Sequence, residues 1–338
     1  MSGPPGAPAT PTPATFAGRR VLITGGLGFI GSNLALRLAG QGAVLTLVDS
    51  LVPEYGGNLF NVAPIRDSVR INISDVRDEH SLAFLVQGQD FLFNLAGQTS
   101  HLDSMQDPYT DMEINCRAQL SILEACRKYN PSIRIVFAST RQIYGRPDYL
   151  PVDERHLLRP VDVNGINKMA GEWYHILYHQ VHGLRACALR LTNTYGPRMR
   201  VKDARQTFLG TWVRQVVEGR PFEVWEGSQR RDFNYVDDVI EALLLAVTKD
   251  QATGQVFNLG GAEVVTLDEL ARTLMGTAPG GGFIHRAFPP ERQRIDIGDY
   301  FADYRRIGKL LGWAPVVPLQ EGLARTCAYY REHLPHYL

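Results

Sequence analysis

The segment Thr24-Gly25-Gly26-Leu27-Gly28-Phe29-Ile30-Gly31 constrains this chain more than any other stretch. It follows an aliphatic run, Val21–Thr24, and opens a helix-like segment near 29–40. Gly25 permits a tight turn, Gly28 lets a pyrophosphate approach the backbone, and Gly31 allows a helix to pack closely on a strand. Phe29, Ile30 and Gly31 begin a helix whose N-terminus would offer free N–H groups and positive dipole to phosphates. Asp49 ends the second expected strand, where a carboxylate accepts hydrogen bonds from an adenosine ribose and repels a 2′-phosphate. Glycine-rich turns often serve only to reverse a chain. Strand, glycines, helix and acid together predict dinucleotide binding, with NAD favoured over NADP.

Short β-branched runs alternate with helical patterns from Arg20 onward. Strands are expected at 21–24, 44–48, 69–73, 91–95, 133–138 and 185–191, with helices near 29–40, 79–87, 106–129 and 164–182. That alternation predicts an α/β fold, a doubly wound parallel sheet of the Rossmann kind. Beyond Pro197 the pattern loosens into helices near 205–218, 236–248, 266–275 and 317–333, with short strands near 222–225, 256–259 and 283–288. The expected organisation is a disordered tail over 1–17, rich in Pro, Ala and Gly, and a cofactor domain over 18–196. A mainly substrate-binding lobe follows over 197–338, with about 232–262 returning to the first domain.

Composition removes several classes. Lys and Arg total 35 against 35 Asp and Glu, so no long-range field favours nucleic acid or a membrane surface. No apolar run reaches the roughly 20 residues of a membrane span. Residues 1–16 lack the basic-then-apolar pattern of a signal peptide. Cys116, Cys126, Cys187 and Cys327 are scattered, which argues against a disulfide framework or a metal site and fits a reducing cytoplasm.

With these motifs in order, the chain resembles the extended short-chain dehydrogenase/reductases, in the branch acting on nucleotide sugars. The resemblance runs from about residue 19 to the C-terminus. It is carried by TGGLGFIGS (24–32), Asp49, SDVRD (74–78), NLAGQ (94–98), Asn115, STRQIYG (139–145), Lys168, LRLTNTYGPRM (189–199), RRDFNYVDD (230–238) and LGW (311–313). It implies that Asp75 and Val76 flank an adenine and that Leu95, Ala96 and Gly97 line the cofactor groove. Thr140 falls on the family's catalytic Ser/Thr, and Gln98, Ser100 and His101 fall in a sugar-facing loop. Asn193 and Arg231 fall on the residues that bind the substrate diphosphate, a task suited to a guanidinium fork. A second phosphate-binding Arg is expected at Arg292 or Arg294. A homodimer paired through the helices at 106–129 and 164–182 is also implied.

One departure stands out. The family's Tyr-x-x-x-Lys corresponds here to Asn164-Gly165-Ile166-Asn167-Lys168, so the lysine is kept and the tyrosine is not. A carboxamide cannot act as a base, although it can hydrogen-bond a substrate oxygen. Tyr144, Tyr149, His101 and Asp103 are candidates for the missing base by loop position. Alternatively, the reaction needs no strong base there, or the protein binds NAD and a sugar nucleotide without turnover. Dehydratases of the family carry Asp-Glu after the Thr; Arg141 and Gln142 stand there instead, and neither supplies a carboxylate. Arg141 could meet an anionic group such as a uronate. The reading reached is an NAD-dependent nucleotide-sugar epimerase passing through a transient keto-sugar. Its competitors are a dehydratase, decarboxylase or oxidoreductase with a rearranged site, or a non-catalytic binder.

Overall fold

The computed structural model describes residues 15–277 and 281–338, and leaves the side chains of residues 291 and 292 outside that description. The first half runs β1 (Arg20–Thr24), α1 (Phe29–Ala39), β2 (Val44–Asp49), β3 (Arg70–Ile73), α2 (Glu79–Leu85), β4 (Phe91–Asn94), α3 (His101–Gln106), α4 (Pro108–Met112), α5 (Ala118–Tyr129), β5 (Arg134–Thr140), α6 (Val163–His182) and β6 (Arg185–Leu191). The second half runs β7 (Asn193–Tyr195), α7 (Phe208–Val217), β8 (Phe222–Trp225), β9 (Arg230–Tyr235), α8 (Val236–Thr248), β10 (Val256–Asn258), β11 (Val264–Thr266), α9 (Leu267–Met275), β12 (Phe283–Arg286), α10 (Pro290–Gln293), α11 (Arg305–Leu311) and α12 (Leu319–His333).

Seven strands form one sheet in the order β10-β6-β5-β4-β1-β2-β3, and every pairing in it is parallel. β4 is buried at every residue and β5 along its whole interior, as a sheet covered on both faces requires. Leu34, Leu189 and Leu243 belong to one apolar cluster, and Leu92, Ile122 and Ile135 to another. Strand order reverses between β1 and β4, which opens a crevice at their C-terminal ends. Thr24 and Asn94 pair there in register. Thr24 Oγ1 donates to Asn94 Oδ1 at 2.9 Å and accepts from the N–H groups of Leu95 and Ala96, which fixes the loop leaving β4. The later β10 pairs with β6 at the sheet edge.

The remaining strands make two small sheets, β11-β9-β7 and β12-β8. β7, β9, β11 and α11 are not anticipated by the sequence pattern. The helix expected over 106–129 is interrupted. α3 ends at Gln106, Asp107 caps α4 through Thr110 N–H, Pro108 takes the first helical position, and a π-helical turn spans Glu113–Arg117 before α5. The expected tail also needs correction at its end. Phe16 is fully buried and packs on Phe91 with ring centroids 5.4 Å apart. Residues 1–14 lie outside the described residues. Among the described residues no helix is long and apolar enough to cross a membrane.

Candidate active site

The glycine loop leaves room that side chains would fill. Gly25 has φ +68°, and a Cβ on it would sit 3.0 Å from Ala96 N. A Cβ on Gly31 would lie 2.2 Å from Gly25 O, so α1 can approach the loop only with glycine there. Gly28 occupies the N-cap with extended backbone and no side-chain cap, so the first N–H groups of α1 open toward the crevice. At the tip of β2, Asp49 accepts from Leu27 N–H at 3.1 Å and Leu51 N–H at 3.0 Å. Burial nevertheless raises its pKa. Phe29, Ile30, Val76, Leu95, Ala96 and Gly97 line the same pocket, and so does Asp75, whose carboxylate is held by Arg77 at 2.7 Å.

Deeper in, Lys168 projects from α6 into the pocket wall. Its Nζ donates to Ala138 O at 3.2 Å and lies 5.1 Å from the Phe137 ring centre. Burial pushes its pKa down to about 8, with Asp111 opposing that shift. A Cβ on Gly97 would come within 2.7 Å of Nζ and 2.9 Å of Asn115 Oδ1, a buried oxygen with no hydrogen-bond partner. Bare glycine backbone, a helix N-terminus, a strand-end carboxylate and a lysine with spare donors fit a dinucleotide.

Asn164 lines this pocket but its amide is engaged in the protein interior. Nδ2 donates to Gln98 O at 2.8 Å and to Asp111 Oδ2 at 3.0 Å. Asp111 is fully buried and also accepts from Asn115 at 3.1 Å and Asn167 at 2.8 Å. Three carboxamides thus share one carboxylate, a network that stabilises the start of α6 against α4.

Thr140 ends β5, and its Oγ1 accepts from Gln142 N–H at 3.2 Å, which leaves the hydroxyl proton free to donate. Beside it His101 opens α3. Its Nδ1 lies 2.9 Å from Asp162 Oδ2, a carboxylate with no side-chain exposure. Burial alone would raise the Asp162 pKa, but His101, Gly165 N–H and Gln142 hold it below the ordinary value. Asp162 Oδ1 caps α6 through Gly165 N–H at 2.6 Å, and Gln142 Nε2 donates to Oδ2 at 2.9 Å.

A second cleft continues from the first. His101, Arg141, Asn193, Gln206 and Thr207 line both. Its walls include Ser100, Gln142, Arg205, Trp212, Trp225, Arg231 and Phe288. Arg231 is buried, donates to Gly298 O and to Gln229 Oε1 at 3.0 Å, and stands 3.4 Å from Asp296. Burial and then the nearby Arg141 charge lower its pKa to about 10. Ser100 caps α3, and Gln98 sits in the first pocket with Nε2 donating to Ser100 O at 3.0 Å.

Tyr144, a catalytic candidate by sequence, is fully buried and lines neither cleft. Its hydroxyl donates to Asn258 at 2.7 Å and accepts from Arg190 at 2.6 Å, and Arg190 is paired with Glu172. Burial raises its pKa further. It therefore works as a structural tie between β6, α6 and β10. Tyr149 is exposed, donates to Asp153 at 2.7 Å and lines neither cleft. Asp103 lines the second cleft only and stands 3.3 Å from Arg205. Arg294 is exposed and lines neither cleft, and the Arg292 side chain lies outside the described residues. Asp162, Asp111, Trp225 and Phe288 escape a sequence reading because the contacts that bring them to the site, Asp162 to His101, Asp111 to Asn164 and Trp225 to Phe288, span long sequence separations. Among the described residues no group of three or more His, Cys, Asp or Glu could hold a metal ion.

The fold and this pair of clefts define an NAD-dependent α/β enzyme. Residues 21–260 match the model of the NAD dependent epimerase/dehydratase family, and the chain belongs to that family. A dTDP-glucose 4,6-dehydratase of Streptomyces niveus is 31% identical over 324 residues, covering 93% of both chains. The UDP-glucose 4-epimerase of Thermotoga maritima, solved with UDP-glucose, superposes with a TM-score of 0.83 at 28% identity over 93% of this chain and 99% of that one. The UDP-glucose 4-epimerase of Thermus thermophilus, solved with NAD, gives a TM-score of 0.79 at 30% identity over 92% and 99%.

Proposed function

We propose that this chain is a nucleotide-sugar epimerase in which a His101–Asp162 pair replaces the family's tyrosine as acid and base. The observation that carries the reading is the position of His101. It lines both the glycine-loop pocket and the adjoining cleft, with a buried carboxylate 2.9 Å from its Nδ1. Asn164, at the tyrosine's place in the motif, is committed to Gln98 and Asp111 and has no basic atom to offer.

NAD, when bound, supplies a reversible hydride acceptor. Gly25, Gly28, Asp49 and Lys168 would hold it, and Asp75 would flank its adenine. Thr140 donates a hydrogen bond to the sugar hydroxyl that reacts. Nε2 of His101 takes the proton of that hydroxyl and later returns it. Asp162, 2.9 Å from Nδ1, balances the imidazolium charge, a positioning role. Arg231, with Asn193, holds the diphosphate.

Arg141 and Gln142 argue against a dehydratase, because elimination of water needs an acid and a base where these two residues stand. An exposed stripe on α6, Ile166, Trp173, Leu177 and Val181, supports a homodimer.

The test incubates the purified protein with NAD and UDP-hexoses or UDP-hexuronates and separates the products. The reading expects a new C4 epimer with no accumulation of reduced nicotinamide. Stoichiometric reduced cofactor, or a product that has lost water, contradicts it.

A further inference from the structure

Among the described residues none forms an ion pair with the Arg141 guanidinium. Its Nη1 is shut off from solvent and has no hydrogen-bond partner. Nη2 donates to Asn193 Oδ1 at 2.9 Å, and the guanidinium carbon stands 5.3 Å from the Tyr300 ring centre. Neither contact neutralises the charge. The two nearby carboxylates are already engaged. Asp232 accepts from Thr192 Oγ1 at 2.5 Å, Ala302 N–H at 3.0 Å and Gly261 N–H at 3.3 Å. Asp296 faces Arg231 and accepts from Gln229 and Gly298 N–H. Burying a guanidinium without an ion-pair partner costs several kcal/mol, so a site built this way gains most when an anion arrives.

Position decides which anion. Arg231 sits in the outer cleft and is absent from the glycine-loop pocket, whereas Arg141 lines both and directly follows Thr140. With Arg231 taking the diphosphate, the reacting ring lies at the Thr140 end. A second anion belonging to the same ligand must then reside on the sugar itself. On a hexose that anion is a carboxylate at C6. Both guanidinium groups line the outer cleft, and of the two only Arg141 reaches on into the glycine-loop pocket, which matches a ligand carrying a second anion beyond its diphosphate.

We propose that the substrate is a nucleoside-diphosphate hexuronic acid, with its carboxylate paired to Arg141. This inference rests on the proposed epimerase reading and narrows its substrate class. An ion pair of this kind also bears on the product. Loss of CO2 from an oxidised uronate needs the carboxylate electrons to move into the ring, and a guanidinium held against both oxygens stabilises them where they are. Arg141 thereby favours retention of the carboxylate.

Calorimetric titration of the NAD-loaded protein with UDP, UDP-glucose and UDP-glucuronate tests the proposal. Wild type is expected to bind UDP-glucuronate more than tenfold more tightly than UDP-glucose. R141Q should lose that preference while binding UDP as wild type does, and R141K, which keeps the charge without the fork, should retain part of it. Equal affinity of wild type for the two sugars overturns the proposal, as does an R141Q protein that keeps the preference. If R141Q fails to fold by circular dichroism, the wild-type ratio and R141K decide alone. Failure of wild type to bind UDP or either sugar would instead overturn the epimerase reading itself, so the two failures are distinct.

Discussion

His101 lines two joined clefts, and behind it the buried Asp162 Oδ2 stands 2.9 Å from its Nδ1, although 61 positions separate the two in the chain. The histidine begins α3 and the aspartate caps α6, so two helix starts bring the ring and the carboxylate together. Asn caps a helix as well as Asp does, which allows the charge to be removed without losing the cap. D162N is therefore expected to melt within a few degrees of wild type while kcat falls about tenfold to a thousandfold. A pH profile of kcat that shifts in D162N, with KM for the sugar nucleotide little changed, distinguishes a positioning role from a structural one. An unchanged profile counts against it.

Lys168 makes a pH prediction with a definite sign. Its folded pKa, about 8, lies below the ordinary 10.5. Between those values the unfolded chain binds more protons, so the lysine's contribution makes the apoprotein more stable as pH rises from about 8 toward 10. Below about 8 both states are protonated and the burial penalty is constant. K168M should remove it and stabilise the apoprotein by about 1–3 kcal/mol at neutral pH, while weakening NAD binding. Urea unfolding of both proteins at neutral and alkaline pH measures the difference, which must shrink as pH rises.

Asn164 donates to Asp111 at 3.0 Å inside a fully buried network. N164D sets a second carboxylate against the first and is expected to cost about 3 kcal/mol at neutral pH. Its new carboxyl would hold a proton more tightly in the folded state than in the unfolded one. The deficit should therefore grow as pH rises above the ordinary carboxylate range and fade in mild acid. Denaturation midpoints at acidic and neutral pH check the trend.

Gly31 has no space for a methyl group, since a Cβ would stand 2.2 Å from Gly25 O. G31A must displace either α1 or the loop. It is expected to destabilise the fold by about 1–3 kcal/mol and to weaken NAD binding more than tenfold, read by fluorescence titration.

Trp173 is 56% exposed in the middle of the α6 stripe, with Leu177 one turn further on. If the homodimer forms through this face, W173E should sediment as a monomer at concentrations where wild type is a dimer. A wild-type protein that sediments as a monomer contradicts the homodimer.

What the sequence discloses is what is written locally. The glycine turn, Asp49 and the alternation of strands with helices are short-range patterns, and the parallel sheet follows from them. β9 escapes because its residues, RRDFNY, carry charge at one end and show no clean alternation, and its pairing with β7 and β11 is decided by tertiary contact. The helix over 106–129 reads as continuous because its apolar spacing persists across Pro108, while the break lies in backbone geometry. In the site, Lys168 and Thr140 are legible from their motifs. Asp162 is not, since no spacing rule links it to His101. Tyr144 misleads because its hydroxyl is consumed by Arg190 and Asn258 far along the chain.

The most direct measurement is the turnover of H101A, with and without added imidazole, in protein shown to retain NAD and UDP-sugar binding. The account predicts that kcat falls at least a hundredfold and that free imidazole restores part of it in a saturable manner. An H101A protein that turns over within threefold of wild type would contradict it.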